Sequence, residues 1–171
     1  GLFAKAVQGA LDVGEECVIV HGGGPQIDAA LQEAGIAPSF LGGFRVTTPE
    51  VFDIVQKVLT GAVLRNVVAQ LRDAGINAVG LSGRDGGLLV AKKLEQLVDG
   101  SPVDLGQVGE VVRVDTSILE TLVSSGFLPV ISPVAVEGDE TSENSMVGMN
   151  VNADLAAGAI AGAVHASTLI F

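Results

Sequence analysis

The chain has 171 residues, of which 48% are hydrophobic and 17% charged, a composition typical of a folded domain. Nine Lys and Arg against twenty Asp and Glu give a formal net charge of -11, so the surface should repel nucleic acid. No apolar stretch reaches the ~20 residues of a membrane span, which argues against a membrane partner. One cysteine and two histidines provide no internal disulfide and no metal-ligand cluster, and they fit a cytoplasmic protein.

Strand-like and helix-like runs alternate from the start of the chain, which is the pattern of βαβ units around a largely parallel sheet. The apolar run at residues 17–20 predicts a strand buried on both faces. Three glycines at 22–24 then precede Pro25, a good first helical residue, so a helix is expected that closes near Gly35.

The middle of the chain continues this alternation. Thr47 and Glu50 predict a capping box at the start of a long helix. Residues 78–81 predict a short strand. The turn-forming cluster at 82–87 predicts a hairpin from that strand into a second one at 88–92.

The last third supplies further elements of both kinds. Residues 108–114 predict a strand, 118–123 a helix and 128–131 a buried strand. Residues 137–148 are expected to form a mobile surface loop, because the acidic stretch 137–144 lacks large apolar side chains. An Ala-rich helix follows this loop.

No internal repeat and no linker interrupts this order, so residues 1–171 are expected to form a single α/β domain. The chain opens in a helix-like rhythm and stops in a strand-like run at 167–171. We therefore expect the fold to be incomplete at both ends.

The turn at residues 21–24 has the chemistry of an anion site. Glycines let the backbone approach a ligand closely, and the N-terminus of the next helix presents unpaired N–H groups with partial positive charge. A tight strand-to-helix turn explains a Gly triplet nearly as well. The spacing matches neither a P-loop nor a dinucleotide-binding fingerprint.

Several polar residues are candidates for a site around this turn. Arg45 is the one cation in a Gly-bounded segment and can hold a carboxylate through two parallel hydrogen bonds, unless it is a surface arginine. Asn150 and Asn152 alternate in an extended segment, so their amides can share a face, although ordinary helix capping would also explain both. Asp154 lies in the first turn of the next helix, where capping is the plainer role. His21 is more often an anchor of its turn than a base.

Four motifs, taken together and in order, resemble those of the acetylglutamate kinases, a branch of the amino acid kinase family. They are VIVHGGGPQI at 18–27, FRVT at 44–47, GLSGRDG at 80–86 and MNVNAD at 149–154. The resemblance implies a three-layer αβα sandwich with a mainly parallel open sheet. It also implies ATP-dependent phosphorylation of the side-chain carboxylate of N-acetyl-L-glutamate, giving N-acetyl-L-glutamyl 5-phosphate in arginine biosynthesis.

The resemblance extends to individual residues. It implies a substrate-binding set consisting of Gly23, Gly24, Arg45, Asn150 and Asn152. Within that set, the resemblance implies that Gly23 and Gly24 contact the transferring phosphoryl group and the substrate carboxylate, and that Arg45 binds the substrate α-carboxylate. Gly23 and Asp154 are the implied catalytic residues, Asp154 being the aspartate that organises the catalytic lysines.

The implied partners are N-acetyl-L-glutamate, ATP with the Mg²⁺ that it brings, and further copies of the chain in a homo-oligomer, either a dimer or a hexamer. The family also carries a Lys-x-Gly-Gly strand before the first helix and a C-terminal portion that binds ATP and supplies a second lysine. Neither is found in this sequence. Residues 1–171 alone are therefore expected to be inactive, with most of the ATP site outside them.

Two other interpretations stay open. One is a related kinase that acts on an acetylaminoadipate-type substrate and differs in pocket length. The other is a binding or oligomerisation fragment without catalytic activity.

Overall fold

The computed structural model describes the backbone of residues 1–171 and every side chain except that of Ser145. The α-helices are α1 (Leu2–Asp12), α2 (Gly24–Glu33), α3 (Pro49–Gln56), α4 (Leu64–Asp73), α5 (Ser117–Ser124) and α6 (Ala153–Ala163). The strands are β1 (Ile19–Val20), β2 (Phe40–Leu41), β3 (Phe44–Arg45), β4 (Ala78–Ser82), β5 (Leu89–Lys93), β6 (Gly109–Val114), β7 (Leu128–Ser132), β8 (Val134–Gly138) and β9 (Glu143–Asn150). A π-helical segment, Lys57–Val63, joins α3 to α4, and a 3₁₀ turn, Asp85–Gly87, precedes β5. In the described part of the chain, no helix is both long and apolar enough to pass through a bilayer.

The strands form two sheets and a hairpin. Three parallel strands make the first sheet, in the order β1-β7-β4. The second sheet has the order β6-β5-β8-β9, with a parallel pair in its centre and antiparallel pairs at both edges. Strands β2 and β3 form the hairpin. Pro133 lies between β7 and β8, where its missing N–H interrupts the ladder and the chain passes from the first sheet to the second.

Helices cover both faces of the parallel sheet. Val130 of β7 packs in a core with α1 and α4, whereas the next residue, Ile131, packs in a core with α5 and α6. Because successive residues of a strand point to opposite faces, the sheet separates two helical layers. The predicted α/β class, with its αβα layers and mainly parallel sheet, is confirmed.

The start of the long central helix differs from the predicted capping box. Thr48, not Thr47, is the N-cap, and its Oγ1 accepts a hydrogen bond from the N–H of Val51 at 3.3 Å. Pro49 follows directly and favours the first helical position, so the residue before it becomes the cap. Thr47 instead donates its hydroxyl proton to the carbonyl oxygen of Arg45.

The predicted hairpin through residues 82–87 is wrong, because β4 lies in the first sheet and β5 in the second. The carboxylate of Asp85 closes the turn by accepting from the backbone N–H of Ser82 at 2.7 Å. A Cβ atom on Gly83 would lie 2.7 Å from the carbonyl oxygen of Val134. Only glycine therefore lets the chain cross beside β8 at this point and leave the first sheet.

The predicted loop at residues 137–148 is mostly strand. Strands β8 and β9 pair antiparallel through it, and only 139–142 form the connecting turn. Asp139 stabilises that turn by accepting hydrogen bonds from the N–H groups of Thr141 and Ser142, both at 2.8 Å, which lower the pKa of its carboxyl to about 2. The polar composition indicated exposure to solvent, but a hairpin at the edge of a sheet tolerates polar residues just as well.

Ile131 tests the layered core, because its side chain is fully buried in the centre of the parallel sheet. Ile131→Ala is expected to lower the free energy of unfolding by about 2–5 kcal/mol, through lost burial and the cavity left behind. The matched control is Ile170→Ala, at a residue that is 85% exposed, which should change stability by less than about 0.5 kcal/mol. Chemical denaturation of both variants measures the difference, and equal effects would contradict the layered arrangement.

Candidate active site

The glycine-rich turn lies where β1 ends at the carboxyl edge of the parallel sheet. Gly23 is the N-cap of α2 and Gly24 its first residue, and no described side chain caps this helix. Pro25, with no N–H of its own, occupies the first turn. The free backbone N–H groups and the helix dipole therefore make this N-terminus able to bind an anion.

The two glycines differ in what surrounds them. A Cβ atom on Gly23 would lie 2.9 Å from Cδ2 of Leu59 and 3.0 Å from Cγ2 of Val63, both in the π-helical segment. Packing alone thus explains why position 23 is glycine. A Cβ atom on Gly24 would meet nothing within 4 Å. The absence of a side chain at Gly24 leaves open space at the helix end, which packing does not explain.

Arg45, at the end of β3, is a buried cation and not a surface arginine. Its side chain is 7% exposed, and its Nη1 donates to Oδ1 of Asp28 in α2 at 2.7 Å. The guanidinium also stacks over the ring of Phe40, 4.6 Å from its centre. These contacts hold the guanidinium in one orientation, as a carboxylate-binding arginine requires.

A chain of hydrogen bonds connects Arg45 with Asn150. Nδ2 of Asn150 donates to Oγ1 of Thr47 at 3.1 Å, and that hydroxyl donates to the carbonyl oxygen of Arg45 at 2.8 Å. Thr47 is fully buried. Two residues of the predicted substrate-binding set, far apart in sequence, are therefore brought together.

Asn152 and Asp154 lie at the start of α6. Oδ1 of Asn152 accepts from the N–H groups of Asp154 and Leu155 at 2.9 and 3.1 Å, so Asn152 is the N-cap of this helix. The carboxylate of Asp154 is exposed and makes no hydrogen bond or ion pair with any described side chain. The cap uses the Asn152 oxygen, and ligand binding by either residue stays a prediction.

His21 anchors its turn. Its Nδ1 lies 2.9 Å from the carbonyl oxygen of Gly22, which can only accept, so Nδ1 carries the proton. Burial lowers the pKa of the imidazole, which is therefore neutral at pH 7. Its Nε2 is buried without a hydrogen-bond partner in the described structure, and so is Oγ of Ser132 at the end of the neighbouring strand.

Sequence reasoning missed the residues that support this site. Asp28 and Phe40 fix the guanidinium of Arg45, and Thr47 connects that arginine to Asn150. The signal for Asp28 was its place one helical turn after the glycines. Thr47 was missed because the sequence pattern predicted it as the N-cap of a capping box, not as a connection between Arg45 and Asn150.

A cavity of about 400 Å³ lies next to the carboxyl end of β4, apart from the predicted site residues. Its lining consists of Gln56, Thr60, Leu64, Arg65, Ser82, Arg84 and Asp85. Nη1 of Arg84 donates to Oε1 of Gln56 across it. Among the described side chains, no group of three or more His, Cys, Asp or Glu is placed to hold a metal ion.

The sequence profile of the amino acid kinase family matches residues 2–171. The chain belongs to this family. The acetylglutamate kinase of Methanopyrus kandleri is 48% identical over 156 residues, which cover 91% of this chain and 61% of that protein. The acetylglutamate kinase of Arthrobacter sp. (strain FB24) is 50% identical over 169 residues, covering 98% and 54%. This amino acid kinase chain thus spans about half to three fifths of the length of these relatives.

Solved structures show the same fold. The crystal structure of smu.665 from Streptococcus mutans UA159 superposes with a TM-score of 0.80 at 25% identity, over 95% of this chain and 62% of that one. N-acetylglutamate synthase from Neisseria gonorrhoeae, solved with coenzyme A and N-acetyl-glutamate, gives a TM-score of 0.69 at 21% identity, over 92% and 34%. At that identity the second likeness shows the fold alone. The predicted amino acid kinase fold is confirmed.

The neutral state of His21 has a measurable consequence. The imidazole of an unfolded chain gains a proton below about pH 6.5, whereas burial opposes protonation in the folded protein. Lowering the pH through this value therefore favours unfolding. His21→Gln removes the imidazole and with it this pH-dependent loss of stability. The Tm of the wild type should therefore fall more than that of the variant below about pH 6.5, and the difference between the two should narrow. If the Tm of the wild type and of the variant fell in parallel from pH 7.5 to pH 5, the assignment of His21 as a neutral, buried imidazole would be contradicted.

Proposed function

We propose that the protein is an acetylglutamate kinase, which transfers a phosphoryl group from ATP to the side-chain carboxylate of N-acetyl-L-glutamate in arginine biosynthesis. Family membership and the relatives of that name support the reaction class. One observation supports N-acetyl-L-glutamate as the substrate. The buried Arg45 is fixed beside Asn150, separately from the uncapped helix N-terminus at Gly24. Two anion-binding groups suit a ligand with two carboxylates.

Phosphoryl transfer to a carboxylate suits a site that consists of anion-binding groups. A side-chain carboxylate has a pKa of about 4.3 in its free form, so at neutral pH it is already an ionised nucleophile and needs no general base. Catalysis is then a matter of positioning the carboxylate and neutralising the charge of the phosphoryl group. We assign the backbone N–H groups of the turn at Gly23 and Gly24 to the phosphoryl end. Arg45, with Asn150 and Asn152, binds the α-carboxylate and acetamido end.

Asp154 is proposed to organise the lysines that approach the phosphoryl group. The resemblance implies that those lysines belong to a Lys-x-Gly-Gly strand and to a nucleotide-binding portion, so this proposal concerns the complete protein. ATP, with its Mg²⁺, is the proposed phosphoryl donor. The described residues contribute the part that binds the acyl amino acid. Assembly into a homo-oligomer and a cytoplasmic location are proposed with the function.

A direct assay tests the proposal. The complete protein is incubated with ATP, Mg²⁺ and N-acetyl-L-glutamate, and the acyl phosphate is trapped with hydroxylamine as a hydroxamate while ADP is measured. Both products should form in equal amounts. Turnover of N-acetyl-L-aminoadipate alone would support the related kinase. Tight binding of N-acetyl-L-glutamate without turnover would support a binding protein without catalytic activity.

Arg45→Ala tests the substrate end of the site. It should weaken binding of N-acetyl-L-glutamate by about 1.5–3 kcal/mol, the range for hydrogen bonds to charged groups. Arg45→Lys should recover little, because an ammonium group cannot form two parallel bonds to a carboxylate. The KM for N-acetyl-L-glutamate measures the effect, and a thermal melt shows that each variant is folded. An unchanged KM would remove Arg45 from the site.

Asp154→Asn separates catalysis from helix stability. If the carboxylate organises the transition state, kcat should fall steeply while the KM for N-acetyl-L-glutamate changes little. A carboxylate that only complements the helix dipole would cost about 0.3–1 kcal/mol of stability and leave kcat unchanged. Steady-state kinetics combined with a thermal melt measure both quantities. Wild-type turnover with a small melt shift would assign Asp154 to the helix alone.

A further inference from the structure

We propose that Asp28 is the positioning residue of Arg45, and that helix α2 thereby sets the length of the substrate that the site accepts. The inference rests on the proposed function and deepens it. Through its hold on Arg45, Asp28 selects a five-carbon acyl amino acid over its six-carbon homologue.

Asp28 and Arg45 are in direct contact. Asp28 Oδ1 accepts from Nη1 of Arg45 at 2.7 Å, with the arginine side chain 7% exposed and the aspartate side chain 46% exposed. Phe40 covers one face of the guanidinium. A guanidinium carries five N–H donors in a fixed plane. One bond to Asp28 and one covered face therefore fix the plane and leave further N–H donors for a carboxylate.

Helix α2 supplies the aspartate of this contact. Gly24 is the first residue of this helix, and Asp28 lies four residues later on the same side. Four residues of α-helix rise about 6 Å. The group that receives the phosphorylated carboxylate and the group that holds Arg45 thus belong to one rigid turn of helix. Their separation is set by helix geometry and not by a loop.

Arg45 and Asp28 form an ion pair. A buried guanidinium without a partner is costly, so Arg45 needs a counter-ion when no substrate is bound. Asp28 supplies that charge while staying half-exposed. The carboxylate of Asp28 repels the substrate carboxylate, so charge alone makes it unfavourable for binding. Its benefit must come from the orientation that it gives to Arg45.

Asp28→Asn and Asp28→Ala should have different effects on substrate binding. Asn keeps an oxygen that can accept from Arg45 but carries no charge, whereas Ala removes both the oxygen and the charge. Asp28→Asn should keep the KM for N-acetyl-L-glutamate and the preference over N-acetyl-L-aminoadipate within about threefold of the wild type. Asp28→Ala should raise that KM about tenfold with kcat nearly unchanged, because binding and not chemistry is lost. It should also lower the preference, in kcat/KM, about tenfold, because a loosened Arg45 accepts the longer substrate.

The experiment measures kcat and KM for both substrates in the complete protein, with thermal melts of every variant. Glu33→Ala, an exposed carboxylate on the same helix, is the matched control and should behave as the wild type. For Asp28→Ala, a fall in Tm with an unchanged preference would make the ion pair merely structural and overturn the inference. Equal losses of affinity and preference in Asp28→Asn and Asp28→Ala would overturn the inference as well, because the charge of Asp28 and not its hydrogen bond to Arg45 would then be responsible.

Calorimetric binding distinguishes this inference from the proposed function. If the wild type turns over neither substrate, the proposed function fails, and the ratio of the two Kd values then tests the length selection alone. A preference for N-acetyl-L-glutamate that is lost in Asp28→Ala and kept in Asp28→Asn would still support Asp28. Binding of neither compound by the wild type would overturn both proposals.

Discussion

The pairing of β7 with a parallel strand on each side determines where the glycine turn and the segments beside it lie. The backbone bonds hold β1 and β4 in register with β7, so Val20 lies opposite Ile131 and Ser82 opposite Ser132. Because the three strands run the same way, the segments that follow them leave from one edge. The glycine turn, the crossing beside β8 and the start of β8 itself are therefore neighbours although they are distant in sequence.

The acidic character of the chain makes the surroundings of Arg45 informative about anion binding. With a net charge of -11, these 171 residues taken together repel an anionic metabolite. Binding must then depend on local groups, and the structure provides two that differ in kind. At Gly24 the partial charges come from the backbone and need no counter-ion, whereas the full charge of Arg45 is balanced by Asp28. Both are present before a ligand arrives, which reduces the reorganisation that binding requires.

Local patterns predicted the elements well, and contacts between distant segments escaped them. The apolar run at 128–131 and the glycines at 22–24 were interpretable because burial and backbone freedom act on neighbouring residues. Asp28 was one carboxylate among twenty, and its contact with Arg45 depends on how the β2–β3 hairpin meets α2. The hairpin predicted at 82–87 failed for the same reason. Turn composition predicts a turn, but whether the next strand pairs with the preceding one depends on the rest of the sheet.

The hydroxyl of Thr47 has a consequence for the way the molecule folds. It joins Arg45, in the first third of the chain, to Asn150, at the end of the last strand. A contact with such sequence separation forms only after the intervening chain has been ordered, and loop closure makes such contacts slow. The helices and the glycine turn depend on nearby residues and can form early. A partly folded or nascent chain therefore has the uncapped N-terminus of α2 but lacks the hydrogen-bonded connection from Arg45 through Thr47 to Asn150, which is completed only in the last stage of folding.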